Sequence, residues 1–160
     1  MSSCCCPGKT DDGCASRCPA SGSQGVGIDI LTVKALLTES ALQRLMPGEY
    51  FFCRDPGCAV VYFSADGRQY TTADVRVPVW QKLPFGDRVI CYCFGESEAS
   101  IRSELESAGE STTVERVREH ITAERCACGV RNPRGACCLG DLIAAVKRVE
   151  AAVGTESVRT

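Results

Sequence analysis

The hydrophobic pattern of this chain changes period partway along, and the change divides it. Between residues 28 and 37 the apolar positions Ile28, Ile30, Val33, Ala35 and Leu37 alternate with one break in phase, which predicts a strand. Thr38 is placed to cap a short helix over residues 39–46, with Leu42, Leu45 and Met46 inward and Pro47-Gly48 ending it. A hairpin follows. Tyr50-Phe51-Phe52 reads as one strand, Cys53-Arg54-Asp55-Pro56-Gly57-Cys58 as the turn, and residues 59–63 as the return strand. Asp66-Gly67 then turns the chain into residues 69–79, where Val75, Val77 and Val79 alternate. Residues 83–87 read as a linker.

Beyond the linker the period becomes helical. Residues 89–95 form a short apolar stretch carrying Cys91 and Cys93. Ser97 can cap a helix with Ile101, Leu105 and Ala108 on one face. Thr112 and Glu115 fit a capping box ahead of a stripe formed by Val114, Val117 and Ile121. Residues 126–138 are an irregular cysteine-rich loop, and a last helix runs from Leu139 to about Val153 with Leu142, Ile143, Val146, Val149 and Val153 inward. The expected fold class is α+β. A flexible, cysteine-rich tail covers residues 1–17, a small β-rich module 18–86, a helical module 87–153 and a polar tail 154–160.

Charge narrows the partners. With 18 basic and 20 acidic residues there is no electrostatic footprint for nucleic acid. Polybasic runs for an anionic membrane are lacking, and the apolar runs are too short to cross a bilayer. Cysteine changes the picture more: 13 of 160 residues, enough for composition to bear on structure. No charged segment followed by an apolar one opens the chain, so the cytoplasm is the expected compartment and disulfides are disfavoured there. The count is odd. Cys4-Cys5-Cys6 and Cys137-Cys138 are adjacent, and Cys91-Cys93 and Cys126-Cys128 are one residue apart, too close to bridge each other easily. Closely spaced thiolates on loops suit metal centres better.

Two such centres are expected. Cys53 and Cys58 flank a hairpin turn that projects both sulfurs to one side, which is half of a structural zinc site; Cys18 and, four residues before it, Cys14 are the upstream candidates for the rest. Zinc there would stand in for the core that a β module of roughly 60 residues builds poorly alone. In the second half, Cys91, Cys93, Cys126, Cys128, Cys137 and Cys138 offer six sulfurs from two loops. Four of them can hold a [2Fe-2S] cluster, or a second zinc, and spacing does not choose among them. The last helix begins just after Cys138, and its free amides and dipole would favour the negative charge of such a centre.

Conventional catalysis is not expected. The single histidine, His120, lies among charged residues and reads as a solvated surface group, as do Arg116, Arg118 and Glu119, while Trp80 reads as packing. No nucleophile elbow or phosphate-binding glycine loop occurs.

Cys91-Tyr92-Cys93, a helix pair, and then Cys128-Gly-Val-Arg-Asn132-Pro133-Arg-Gly135-Ala-Cys137-Cys138 resemble the N-terminal module of CopZ-type copper chaperones. The front resembles it as well, from Cys18-Pro19 and Thr32-Val33 to Tyr50-Phe51-Phe52-Cys53, Cys58, Val60-Val61-Tyr62-Phe63. The resemblance spans roughly residues 17–142. It implies a zinc-ribbon-like front with Cys18, Cys53 and Cys58 as ligands, and a back half similar to bacterioferritin-associated ferredoxin. The implied [2Fe-2S] ligands are Cys91, Cys93, Cys128 and Cys138, with Cys126 and Cys137 as unligated neighbours. Two departures matter. Ser21 stands where the family has a second front cysteine, so Cys14 or the Cys4-Cys5-Cys6 run is a candidate fourth zinc ligand. The chain also holds no Met-x-Cys-x-x-Cys loop, so Cu(I) delivery through such a loop is not expected of it.

The function these readings imply is that of a cytoplasmic zinc- and [2Fe-2S]-binding protein in copper handling, a redox-active carrier rather than an enzyme. Its partners would be a copper chaperone, a copper-transporting ATPase or a redox protein, and the Cys4-Cys5-Cys6 tail would dock copper transiently. The alternatives are a ferredoxin-like electron carrier for an unrelated reductase and a zinc-only interaction module.

Overall fold

A computed structural model of the chain describes residues 16–158, and within them the side chains of 157 and 158 are left aside. Cys4, Cys5, Cys6 and Cys14 therefore lie outside the described residues. The chain forms two compact units. The front unit runs to Leu83 and also takes in Gly129–Cys137; the back unit comprises Pro84–Cys128 and the chain from Cys138 onward.

The front unit is built on an antiparallel sheet of four strands in sequence order: β1 (Gly25–Ile28), β2 (Tyr50–Cys53), β3 (Val60–Ser64) and β4 (Gln69–Thr71). Register pairs Val26 with Phe52, Phe51 with Phe63, and Tyr62 with Tyr70. Side chains alternate across a strand, so Tyr50 and Phe52 share one face of β2 while Phe51 and Cys53 share the other. The first face carries the main core, where Phe52, Tyr62, Tyr50 and Tyr70 pack with Val33, Leu36, Leu37 and Val61. The second carries a smaller cluster of Cys18, Cys53, Val60 and Phe63, with Phe51 and Cys58 against it. Phe51 and Phe63 stack there at 5.4 Å. Gly25 lies under that stack, and a Cβ at this position would fall 2.5 Å from the Phe63 ring.

Residues 30–36 are helical, not a strand. Helix α1 (Ile30–Leu36) starts because the Asp29 side chain accepts a hydrogen bond from the Leu31 N–H, and its buried residues Thr32, Val33 and Leu36 follow a helical spacing that local alternation conceals. Thr38 does cap the next helix, its hydroxyl accepting from the Ala41 N–H, but α2 (Glu39–Leu42) is a single turn. Ala41 faces inward there, whereas Leu42 and Met46 are exposed. Residues 69–79 are a short strand followed by a 3₁₀ turn over Thr72–Asp74 rather than one long strand. Val75 and Val79 are nonetheless buried in the main core. The front unit thus has an aromatic core of its own, separate from the cluster that contains its cysteines.

The back unit opens with β5 (Val89–Cys91), paired to the two-residue β6 (Glu96–Ser97). Ser97 caps α3 (Glu98–Ala108) by accepting from the Ser100 N–H, and Gly109 closes it in the left-handed conformation. The start of α4 (Thr113–Thr122) differs from the expected capping box, because Thr112 makes no side-chain cap. Glu104 of α3 holds that end instead, accepting from the Thr112 N–H at 3.0 Å and from Ser111 Oγ at 2.7 Å. Arg116 is likewise no solvated charge, since its guanidinium pairs with Glu96 at 2.9 Å and Glu104 at 2.6 Å. After the single-turn α5 (Cys128–Arg131), helix α6 (Leu139–Val158) packs against α3, α4 and β5, and it continues past the last apolar position read from the pattern. Its inward residues are Leu142, Ala145 and Val149; Ile143 and Val146 are only half-buried.

Glu98 is the polar exception in this unit. Its carboxylate has no exposed surface and is met by Arg88 at 2.6 Å and by the Gly86 N–H at 2.9 Å, with Arg148 at 3.8 Å. Burial opposes its charge, but the Arg88 guanidinium and the amide outweigh burial and hold the carboxyl below the usual glutamate range.

Candidate metal centres

The front candidate comes from three places in the sheet. Cys53 ends β2, Cys58 stands before β3, and Cys18 lies in the turn preceding β1. The hairpin between them is fixed by Asp55, whose carboxylate accepts from the Gly57 N–H at 2.9 Å and whose carbonyl accepts from Cys58 N–H and from Lys82 Nζ. The result brings the Cys18, Cys53 and Cys58 sulfurs all within 4.8 Å of one another. Among the described residues this is the one group of three potential ligands so compact. Cys18 Sγ is 3.9 Å from Cys58 Sγ. Cys18 and Cys53 are buried, and Cys58 is half-buried. Burial opposes ionisation of Cys18, yet hydrogen bonds from Ser21 bring its thiol below the ordinary value; burial pushes the Cys58 thiol up. Three soft donors converging on one point fit a single thiophilic ion such as zinc or copper.

Ser21, noticed in the sequence only as a missing cysteine, is part of this geometry. Its hydroxyl lies 3.6 Å from Cys53 Sγ and accepts a hydrogen bond from the Ser23 N–H at 3.3 Å.

The back cysteines are arranged differently. Cys91 ends β5, Cys93 lies in the turn to β6, Cys128 opens α5, and Cys138 precedes α6, with its carbonyl accepting the first helical bond from Leu142 N–H at 2.8 Å. Their sulfurs form a chain of neighbours: Cys93 lies 3.8 Å from Cys128, and Cys138 is hydrogen-bonded with both Cys128 and Cys91. Backbone amides point at them. The Ala127 N–H donates to Cys93 Sγ at 3.2 Å, the Phe94 and Cys93 amides reach Cys91, and the Cys138 amide reaches Cys128. The hydrogen bond from Cys138 brings the Cys91 thiol down to about 7 and that of Cys128 to about 6, while burial lifts Cys93 to about 11. Cys138, the donor to both neighbours, is strongly raised. Cys126 is half-buried and Cys137 exposed. His120 does not stand free in solvent. It is half-buried, and its ring stacks on Phe94, the residue after Cys93, at 3.9 Å.

The loop between Cys128 and Cys138 is held within the front unit. Thr32 Oγ1 donates to the Gly129 carbonyl and the buried Tyr62 hydroxyl to the Pro133 carbonyl, each at 2.5 Å. Asn132 closes the loop on itself through the Ala136 carbonyl and the Arg134 N–H. Gly135 sits at φ +67°, where a side chain would be strained and would also meet Thr32 Oγ1 at 2.9 Å. Thr32 and Tyr62 carry no chemistry-bearing motif of their own. The Asn-Pro-x-Gly turn signature is the one signal that could have found the loop.

Residues 15–76 match the family model zf_CopZ, described as a zinc binding domain. The chain is 29% identical over 124 residues to the copper chaperone CopZ of Archaeoglobus fulgidus, an alignment covering 76% of this chain and 57% of that protein, so it spans a little over half of that relative's length. The X-ray structure of the Archaeoglobus fulgidus CopZ N-terminal domain superposes with a TM-score of 0.64 at 26% identity, over 80% of this chain and 95% of that one. The front of the chain is a cysteine-based metal-binding module similar to that domain. No helix among the described residues is long and apolar enough to cross a membrane.

Proposed function

We propose that this chain is a two-centre metal protein of soft-metal handling, carrying zinc on Cys18, Cys53 and Cys58 and a [2Fe-2S] cluster on Cys91, Cys93, Cys128 and Cys138, and serving copper homeostasis as a carrier rather than as an enzyme. The observation that carries the reading is the contrast between the two sets of sulfurs. The front trio converges on one point and suits one ion. The back four are strung in neighbouring pairs, which suits two bridged metals better than one. Amides directed at three of the back sulfurs, and the start of α6 at the fourth, compensate negative charge there. When bound, a [2Fe-2S] cluster supplies a one-electron centre.

The likeness to the CopZ N-terminal domain supports the copper assignment, and its coverage of this chain exceeds the share belonging to the front unit. The partners that follow are a copper chaperone, a copper-transporting ATPase or a redox protein of the same system. Thiolate ligands must stay reduced, which puts the protein in the cytoplasm. Metal analysis of anaerobically purified protein tests the proposal: about two irons and one zinc per chain are expected. Zinc without iron would leave a zinc-only interaction module, and absence of both would remove the metal reading altogether.

A further inference from the structure

The front sulfurs leave one corner of a four-coordinate site to be filled, and what stands nearest is not sulfur. Ser21 Oγ lies 3.6 Å from Cys53 Sγ, and the Ser21 hydroxyl and backbone N–H both engage Cys18 Sγ. The Ser23 N–H, donating to Ser21 Oγ at 3.3 Å, helps to orient the hydroxyl. Backbone reinforces this placement. The Gly22 N–H donates to the Cys18 carbonyl at 2.8 Å and the Cys18 N–H to the Ser23 carbonyl at 2.9 Å, so residues 18–23 close into a turn with Cys18 and Ser21 on it. That turn gives two donors, one sulfur and one oxygen. Ser21 is half-buried, so its corner keeps a path to solvent, whereas Cys18 and Cys53 are sealed.

Four thiolates make a closed structural site; three protein ligands and a replaceable fourth make an open one. We infer that the front metal is held by the three thiolates of Cys18, Cys53 and Cys58 with the Ser21 hydroxyl at the fourth corner, and that this corner is an exchange position for a small thiol. This rests on the metal-site reading above. In the exchange a thiol binds as thiolate, its proton passes to solvent, the neutral Ser21 hydroxyl leaves, and no oxidation state changes. A neutral oxygen is a poor match for a soft ion, which is why an incoming thiolate displaces it.

Cobalt(II) in place of zinc makes the ligand set visible, because thiolate-to-cobalt charge transfer scales with the number of bound sulfurs. In the full chain with cobalt at the front site, Ser21→Cys should raise the charge-transfer absorbance per cobalt by about one third as three thiolates become four. Added 2-mercaptoethanol should raise the wild-type spectrum by the same proportion and leave Ser21→Cys unchanged. Ser21→Ala should keep the three-thiolate spectrum and respond to less thiol. Cys14→Ser, and the joint replacement of Cys4, Cys5 and Cys6 by Ser, should change nothing. A wild-type spectrum that already has four-thiolate intensity, and loses it in one of those tail variants, would give the corner to a tail cysteine and overturn the inference with the metal site intact. An unaltered spectrum in a folded, cobalt-loaded Ser21→Cys protein would overturn it too. Cobalt that binds without any thiolate charge transfer would instead remove the front metal site, and the inference with it.

Discussion

The two halves of the molecule use the same residue type to make two different sulfur arrays, and the backbone decides which. In the front unit the donors sit at the ends of paired strands and in the turn beside them. Strand pairing draws them to one point on the sheet face opposite the main aromatic core. In the back unit the donors lie at a strand end, in a turn and at two helix starts, where free amides are plentiful, and only Cys91 stands on a paired strand. The front site thus has a small cluster of its own, with Cys18 and Cys53 buried beside Val60 and Phe63 and apart from the main core. Of the back sulfurs, those of Cys91 and Cys138 are as buried as those of Cys18 and Cys53; Cys91 follows the core residue Ile90, and Cys138 stands one helical turn before Leu142.

Removing one sulfur from each array separates the two. Cys138→Ser deletes the sulfur that links Cys91 to Cys128, and complete loss of iron with zinc retained is the expected result, read by metal analysis. Cys53→Ser should do the reverse. Because the aromatic core lies on the other face of the sheet, the zinc-depleted front unit should still melt cooperatively. Trp80, the chain's one tryptophan, belongs to this unit, so its fluorescence reports that transition alone. Loss of the Trp80 transition in Cys53→Ser would mean that metal, not the aromatic face, holds the front together.

Legibility in the sequence divides along the same line. The hairpin Tyr50–Cys53 with Val60–Ser64 could be read because two short aromatic and β-branched runs flanking an Asp-Pro-Gly turn are local signals, and the half-site on Cys53 and Cys58 came with it. Helix α1 could not be read as a helix. Ile28 and Ile30 belong to a strand end and a helix start, and joining them to Val33, Ala35 and Leu37 produced alternation across an Asp29 cap. Spacing alone left six candidates for the back site. What separates Cys91 and Cys138 from the exposed Cys137 is burial and the amides around them, both products of tertiary structure. Ser21 could be seen as a departure, but its place beside Cys53 depends on a turn closed by hydrogen bonds 32 residues away in sequence from that sulfur.

A second test concerns what stabilises each unit apart from metal. The back unit buries a charge, whereas the front buries tyrosines. Glu98→Ala would leave Arg88 facing a vacated pocket, and removing one partner of a buried pair costs about 3–5 kcal/mol. The helical signal in circular dichroism should lose stability by that order while the Trp80 transition stays in place. Acid should act on the same element. The Glu98 carboxyl is depressed in the folded state, so its contribution is complete above the ordinary glutamate value of about 4.3 and fades as pH falls through the lower folded value. The groups facing it are Arg88 and Arg148. Acid-induced loss of helix should therefore be shallower in Glu98→Gln than in the wild type, and equal acid sensitivity in the two would assign the loss to other carboxylates.

The smallest expected effect lies where the two arrays are joined by the chain itself. Cys128 and Cys138 belong to the back unit, yet the residues between them belong to the front, fastened by the Tyr62 hydroxyl and by Thr32. Tyr62→Phe removes one hydroxyl from a fully buried position and leaves the Pro133 carbonyl, itself buried, without that donor. A buried acceptor deprived of its partner costs about 1–3 kcal/mol. The ring and its packing against Phe52 at 6.3 Å remain, so the main core should be preserved. The Trp80 transition should fall by that amount with zinc content unchanged. Iron should stay bound but be lost faster to a chelator, because the loop that spaces Cys128 from Cys138 has lost a tether. Thr32→Val, which removes the other tether while keeping a β-branched shape, should act in the same direction. If both variants lower front stability yet iron leaves at the wild-type rate, the loop contributes to the front fold only, and the back sulfurs are positioned by β5, α5 and α6 alone.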